Sequence, residues 1–156
     1  MRTETTGIVR VTVRDVDTGE VKHQFEGENT MTKGVHELIV TTFDAEEEDS
    51  IRETITQLAI GDSDASAADY ENTSLNNEIE RLDIADYDQQ ENDAFISTFI
   101  AGPELVGDDI REVGLFTSST GGTMVNHHVF EAANQIENKT SQETVSIDII
   151  LQWRAA

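Results

Sequence analysis

The sequence predicts a mainly β fold: an antiparallel β-sandwich or barrel-like sheet with one packed α-helix over about residues 31–43. Three observations lead there. Short runs alternate apolar and polar residues, the period of a half-buried strand. Turn signals, most of them built on glycine, separate those runs. One stretch, "NTMTKGVHELIVTTF", switches to helical spacing. Recurrent short strands with a single helix favour a sandwich or curled sheet with the helix packed on one side.

Taken in order, residues 7–14 place Val9, Val11 and Val13 on one face and Arg10, Thr12 and Arg14 on the other. The turn signal Asp17-Thr18-Gly19-Glu20 puts Gly19 where a positive φ is wanted. Val21, His23 and Phe25 then resume the alternation, so the first two strands form a hairpin. The helix carries Val35, Leu38 and Ile39 on one face, takes Thr30 or Thr32 as its cap, and ends in the charged run "DAEEEDS". Gly34 inside it implies close packing of that turn. A short strand, Leu58-Ala59-Ile60, ends on Gly61 and opens into the acidic loop "DSDASAADYENT". Ser74 is placed to cap a short helical turn over 75–81, on which Glu78 and Arg81 share a face.

The next strand, "AFISTFIAG", is apolar on both faces, which is the pattern of a buried or interfacial strand. Phe95, Ile96, Phe99 and Ile100 are therefore the candidate interface. Pro103 breaks the pattern. "DIREVGLF" and "TMVNHHVF" flank the hairpin signal "TSSTGG". The final strand sets Val145, Ile147, Ile149, Leu151 and Trp153 against a mostly polar face. About seven strands and one helix result, in a single domain over residues 1–156 with no linker or internal repeat.

The charge sets the solvent regime. The chain has 156 residues and a formal charge of −22, from 32 acidic and 10 basic residues, with Lys22, Lys33 and Lys139 its only lysines. In molar salt the Debye length is about 3 Å, and such self-repulsion largely vanishes. At low salt it should push the compact state apart. The expectation is a protein of a halophilic source whose melting temperature, followed by circular dichroism, rises with KCl. Equal stability at low and molar salt would contradict it. Nucleic acid is not an expected partner, because phosphate binding needs clustered Lys and Arg. With no cysteine, neither disulfides nor a thiol site are available. No apolar run approaches the roughly 20 residues of a membrane helix, and the N-terminus lacks the apolar core of a signal peptide. Membrane insertion is not expected, and synthesis in the cytoplasm is.

Motifs for chemistry are weak. The acidic loop has acids at the first and third positions of a calcium loop, but Ala67 stands where glycine is required and Thr73 where the bidentate glutamate belongs. Asp62, Asp64 and Asp69 are thus weak metal candidates. No dedicated cofactor is expected, only non-specific K+, Na+, Mg2+ or Ca2+ around the acids. His127 and His128 are adjacent in a strand, so they point to opposite faces and do not chelate one ion. No Ser stands in a Gly-x-Ser-x-Gly turn, and no catalytic residue is nominated.

Two motifs carry a resemblance. "ITQLAIGDSDASAADYENTSLNNEIER" is similar to a line of the form "alGtG…t…L.nEv.R". "DIREVGLFTSSTGGTMVNHHVF" is similar to "i.EvGLF……ggtl.ar..f". Both resemble a structural module of tailed viruses, found in tail-fibre, baseplate and other virion proteins. Ile60, Gly61, Leu75, Glu78 and Arg81 match the first line, and Ile110, Glu112, Val113, Gly114, Leu115, Phe116 and Gly122 the second. The chain departs from the pattern at Asp62-Ser63, where the module has glycine.

The resemblance implies a non-enzymatic virion protein, a symmetric homo-oligomer in the tail, baseplate or fibre of a virus of halophilic archaea. It would meet other virion proteins, with a host-surface receptor as a further partner. A capsid-surface turret or decoration protein is the alternative in the same class. From another class comes a cation-dependent carbohydrate-binding module for host attachment, using the loop acids with Tyr70. Beside the resemblance, Arg81 is a natural partner for Glu78 or Glu112, fixing the loop against the hairpin. Leu115 and Phe116 would face opposite ways, one into the core and one toward a neighbour.

Overall fold

The computed structural model describes residues 3–36 and 55–155, with side chains over 6–36 and 55–152. Nine strands run in chain order: β1 (Thr3–Asp15), β2 (Val21–Met31), β3 (Gln57–Gly61), β4 (Glu78–Asp83), β5 (Asp86–Gln90), β6 (Asp93–Ile100), β7 (Glu112–Phe116), β8 (Asn126–Val129) and β9 (Glu143–Ala155). They form one antiparallel sheet in the order β4-β3-β7-β8-β2-β1-β9-β6-β5, curled into a half-barrel. The mainly β, barrel-like architecture expected from the alternation is thus present. The helix is entered at residues 33–36, and the rest of the predicted 31–43 span, with the "DAEEEDS" run, lies outside the described residues. Gly34 has the role expected of it, since a Cβ there would lie 2.0 Å from the Met124 carbonyl oxygen.

β1 and β9 form the central ladder, paired from Thr3↔Ala155 to Asp15↔Glu143. Val9, Val11 and Val13 on β1 and Val145, Ile147, Ile149 and Leu151 on β9 fill the hollow of the curl, together with Ile96 and Ile100 from β6. The predicted first hairpin is present, with Gly19 at φ 71°. The carboxylate of Asp15 organises its turn by accepting from the N–H groups of Asp17 and Thr18, both at 2.9 Å.

Two strands exceed the predicted count, and one replaces a predicted helical turn. Residues 78–83 pair with β3 instead of coiling, and Ser74 caps nothing helical. "EIERLD" has helical apolar spacing, but the exposed edge of β3 offers it a full ladder of backbone partners. β5, "DYDQQ", is polar throughout and owes its conformation to pairing with β6. Only Ile84 and Ala85 separate β4 from β5, yet these are the two opposite edges of the sheet. The crossing is stitched by Ile84 N–H to Thr56 O (3.2 Å) and Ala85 N–H to Ser97 O (2.9 Å).

Lys139 is a core residue that composition would place at the surface. It is 0% exposed. Its Nζ donates to the carbonyls of Gly102 (2.9 Å), Ala101 (3.1 Å) and Thr140 (3.2 Å), so all three ammonium protons are used. Burial pushes its pKa below the usual lysine value, against the opposing pull of Glu143 and Glu104. Lys139→Met keeps the stem but strands the three carbonyls. It is expected to cost about 2 kcal/mol in a denaturant melt, and an unchanged midpoint would show that the ammonium does not hold this corner.

Candidate functional site

Gly61, Leu75, Glu78, Arg81, Glu112, Gly114 and Phe116 gather at one junction, where the acidic loop 62–77 meets β7, β8 and the turn between them. The loop is closed at its neck. Asp62 N–H donates to Asn77 O at 3.2 Å, and Asn77 Nδ2 donates to Asp62 Oδ1 at 2.6 Å, giving a compact Ω-loop. Leu75 is its plug, packed with Ala59, Phe116 and Met124 in a second apolar cluster. Gly114 leaves room for that plug, because a Cβ there would lie 3.0 Å from Leu75 Cδ2 and 2.9 Å from the Asn126 carbonyl. Gly61 does the same for Glu112, whose Cγ would be 2.4 Å from an added Cβ.

Glu112 and His127 form the buried centre of the junction, at 0% and 1% exposure. Glu112 accepts three hydrogen-bonding contacts. Its Oε1 meets Asn76 N–H at 2.6 Å and His127 Nε2 at 2.8 Å, and its Oε2 meets Asn77 N–H at 2.9 Å. On the far side of the imidazole, Nδ1 lies 2.9 Å from Asn72 Oδ1, which also accepts from Asp69 N–H at 2.8 Å. A carboxylate from β7 and an imidazole from β8 thus bind the loop's backbone at one end and its Asn72 side chain at the other.

Arg81 is the second anchor. Its fork grips Glu78 twice, Nε to Oε2 at 2.8 Å and Nη2 to Oε1 at 3.0 Å. Nη1 donates to the carbonyls of Ser118 (2.7 Å) and Gly121 (2.6 Å), and the guanidinium lies 3.8 Å from the centre of the Phe116 ring. Of the two partners anticipated, Glu78 takes the arginine and Glu112 does not. The i,i+3 pair forms without a helix. Ala59 faces Arg81 and Ile60 faces Glu80, but Gly61 faces Glu78, so the strand bulges at Ile79. That extra residue returns Glu78 to the side of the sheet that Arg81 occupies.

The other candidates are dispersed. Asp62 is held by Asn77, Asp64 by Gln135 Nε2 at 2.7 Å, and Asp69 by Glu71 N–H at 2.8 Å. Among the described residues, no three acids or histidines gather so as to hold a metal ion. Tyr70 turns its hydroxyl to His36 Nδ1 at 2.8 Å. His128 points away from His127 and meets the carbonyl of Glu28 at 2.8 Å. Burial lowers its pKa from the usual histidine value, opposed by that backbone hydrogen bond.

Leu115 and Phe116 are both buried, the second at 2% exposure. The face expected to meet a neighbour is covered by the chain's own Leu75 and Arg81. In β6, Ile96 and Ile100 belong to the core, so only Phe95 and Phe99 of the four candidate interface residues look outward. Sequence reasoning missed the Glu112–His127–Asn72 chain, because only the β7–β8 register and the fold of the loop bring these residues together. No family model, curated protein or solved structure matches the chain.

Proposed function

We propose that this chain is a non-enzymatic structural protein of a virion, a homo-oligomeric part of the tail, baseplate or fibre of a virus of halophilic archaea. The observation that carries the reading is that seven of the twelve residues of the resemblance, Gly61, Leu75, Glu78, Arg81, Glu112, Gly114 and Phe116, serve one mechanical junction, while Ile60, Ile110, Val113 and Leu115 fill the core. Gly61 and Gly114 make space, Leu75 plugs, Glu112 and Arg81 grip, and Glu78 and Phe116 receive Arg81. A motif used this way builds a shape.

The outer face of β6 and β9 supplies the contact surface. Phe95 and Ile8, both half-buried, flank the buried Ile150 across three strands. Phe99 lies on the same face of β6 at 50% exposure. An apolar row on an acidic protein can meet a second, equally acidic copy where salt screens the charge, and closed rings are the usual symmetry. Light scattering after size exclusion in about molar KCl is expected to return a discrete oligomer. Phe99→Asp is expected to convert it to monomer while moving the denaturant midpoint by less than about 0.5 kcal/mol, as exposed substitutions do. A wild-type chain that stays monomeric at high concentration would remove self-assembly from the reading.

A further inference from the structure

We propose that the buried Glu112–His127 pair traps one proton, and that this proton latches the loop 62–77 onto β7 and β8. The count follows from hydrogen-bond polarity. Asn72 Oδ1 accepts from Asp69 N–H, so it is the amide oxygen that faces His127, and His127 Nδ1 must donate to it. At the other end of the ring, Nε2 and Glu112 Oε1 are 2.8 Å apart and need a proton between them. A neutral imidazole protonated at Nδ1, facing an ionised carboxylate, would set two lone pairs against each other in a site without water-exposed surface. The pair therefore carries one proton more than neutral histidine plus carboxylate. Both Glu112 oxygens already accept backbone N–H groups, which places that proton on the ring and makes the pair imidazolium and carboxylate.

The charged groups around the pair are engaged elsewhere. On the loop, Asp62 bonds Asn77, Asp69 bonds Glu71 N–H, and Glu71 pairs with Lys33 of the helical turn at 3.2 Å. Beside Glu112 on the chain, Arg111 pairs with Glu137 (2.9 Å) and Asp109 (3.2 Å). On β8, His128 turns to Glu28 O, and β3 presents only Gly61. The pair is thus the switchable element of the junction. Once its proton leaves, Nε2 repels Oε1, and the carboxylate that grips Asn76 and Asn77 is pushed from its seat.

The sign of the pH dependence is fixed by the count. Above the ordinary histidine value of about 6.5 the unfolded chain holds a neutral imidazole and an ionised carboxylate. The native chain holds one more proton, so the folding constant falls about tenfold per pH unit until the native pair itself releases it. His128, with its lowered pKa, acts with the opposite sign, and its effect is complete once the pH passes the ordinary histidine value. Tyr87, with its raised pKa, acts only above the ordinary tyrosine value, and Lys139, whose pKa burial lowers, acts with the opposite sign to the pair. The difference in slope between wild type and His127→Gln over about pH 7 to 9 therefore isolates the pair.

Long-range nitrogen–proton spectra of the intact chain in molar KCl test this directly. At pH 7 both ring nitrogens of His127 are expected to carry protons. Raising the pH until the ring titrates is expected to shift the Asn76 and Asn77 amide signals with the same midpoint. His127→Gln is expected to abolish the tenfold slope of the folding constant between about pH 7 and 9. A bare ring nitrogen at pH 7 overturns the proposal. So does a ring that loses its proton while the Asn76 and Asn77 signals stay in place.

Discussion

Glu112→Ala is expected to lower stability by about 4 kcal/mol, the largest loss of any single substitution at the junction. The carboxylate is fully buried, and its removal strands the N–H groups of Asn76 and Asn77 together with an imidazole that has lost its partner. Breaking a buried pair by deleting one side costs about 3–5 kcal/mol, and each stranded donor adds to the penalty. Glu112→Gln is nearly isosteric yet does not rescue the site, because one of its two terminal atoms becomes an NH2 group facing a backbone N–H. Denaturant melts in molar KCl should therefore place the glutamine variant much nearer to alanine than to wild type. A glutamine variant within about 1 kcal/mol of wild type would mean that the loop's grip does not depend on the carboxylate.

Arg81→Ala is expected to cost about 3 kcal/mol. The side chain of Arg81 is 12% exposed and that of Glu78 is 32% exposed. The pair thus sits near the buried end of the range that runs from under 1 kcal/mol at the surface to about 3–5 kcal/mol inside. Truncation also frees the carbonyls of Ser118 and Gly121 and uncovers Phe116. Arg81→Lys keeps the charge but loses the planar fork that reaches the carboxylate and the two carbonyls together, and about half of the loss is expected to remain. Equal stability of the lysine variant and wild type would reduce the interaction to simple charge attraction.

The sequence was most legible where one physical signal acts alone. β1, β2 and β9 follow from alternation, because each presents one face to a common core, and β6 from an apolar run bounded by a turn. The acidic loop was readable as framework because its spacing fails as a calcium loop. β4 and β5 were not readable, since their strand conformation comes from edges that other strands leave open. The Glu112–His127 contact was hidden for a related reason: the two residues are neighbours only after Val113↔His128 and Glu112↔Val129 have set the register. Arg81 marked itself as one of few cations in an acidic chain. The same scarcity applied to Lys139, whose buried position the reading overlooked because lysine is rarely found inside. The outward member of Leu115 and Phe116, and both Ile96 and Ile100, were misjudged because a strand apolar on both faces can be covered by its own chain as well as by another copy.

The central ladder has a consequence in time. β1 emerges first from the ribosome, and the strand it pairs with over thirteen residues, β9, emerges last. Until then the valines of β1 and the isoleucines of β6 have no β9 between them, and non-local pairing of this kind is slow to form. The half-made chain is thus long-lived, apolar along two strand edges and open to joining another of its kind. Its strong negative charge works at that moment, holding unfinished chains apart, and screening by molar salt would weaken that protection. A circular permutant beginning at β9 would shorten that interval by bringing both central strands out together.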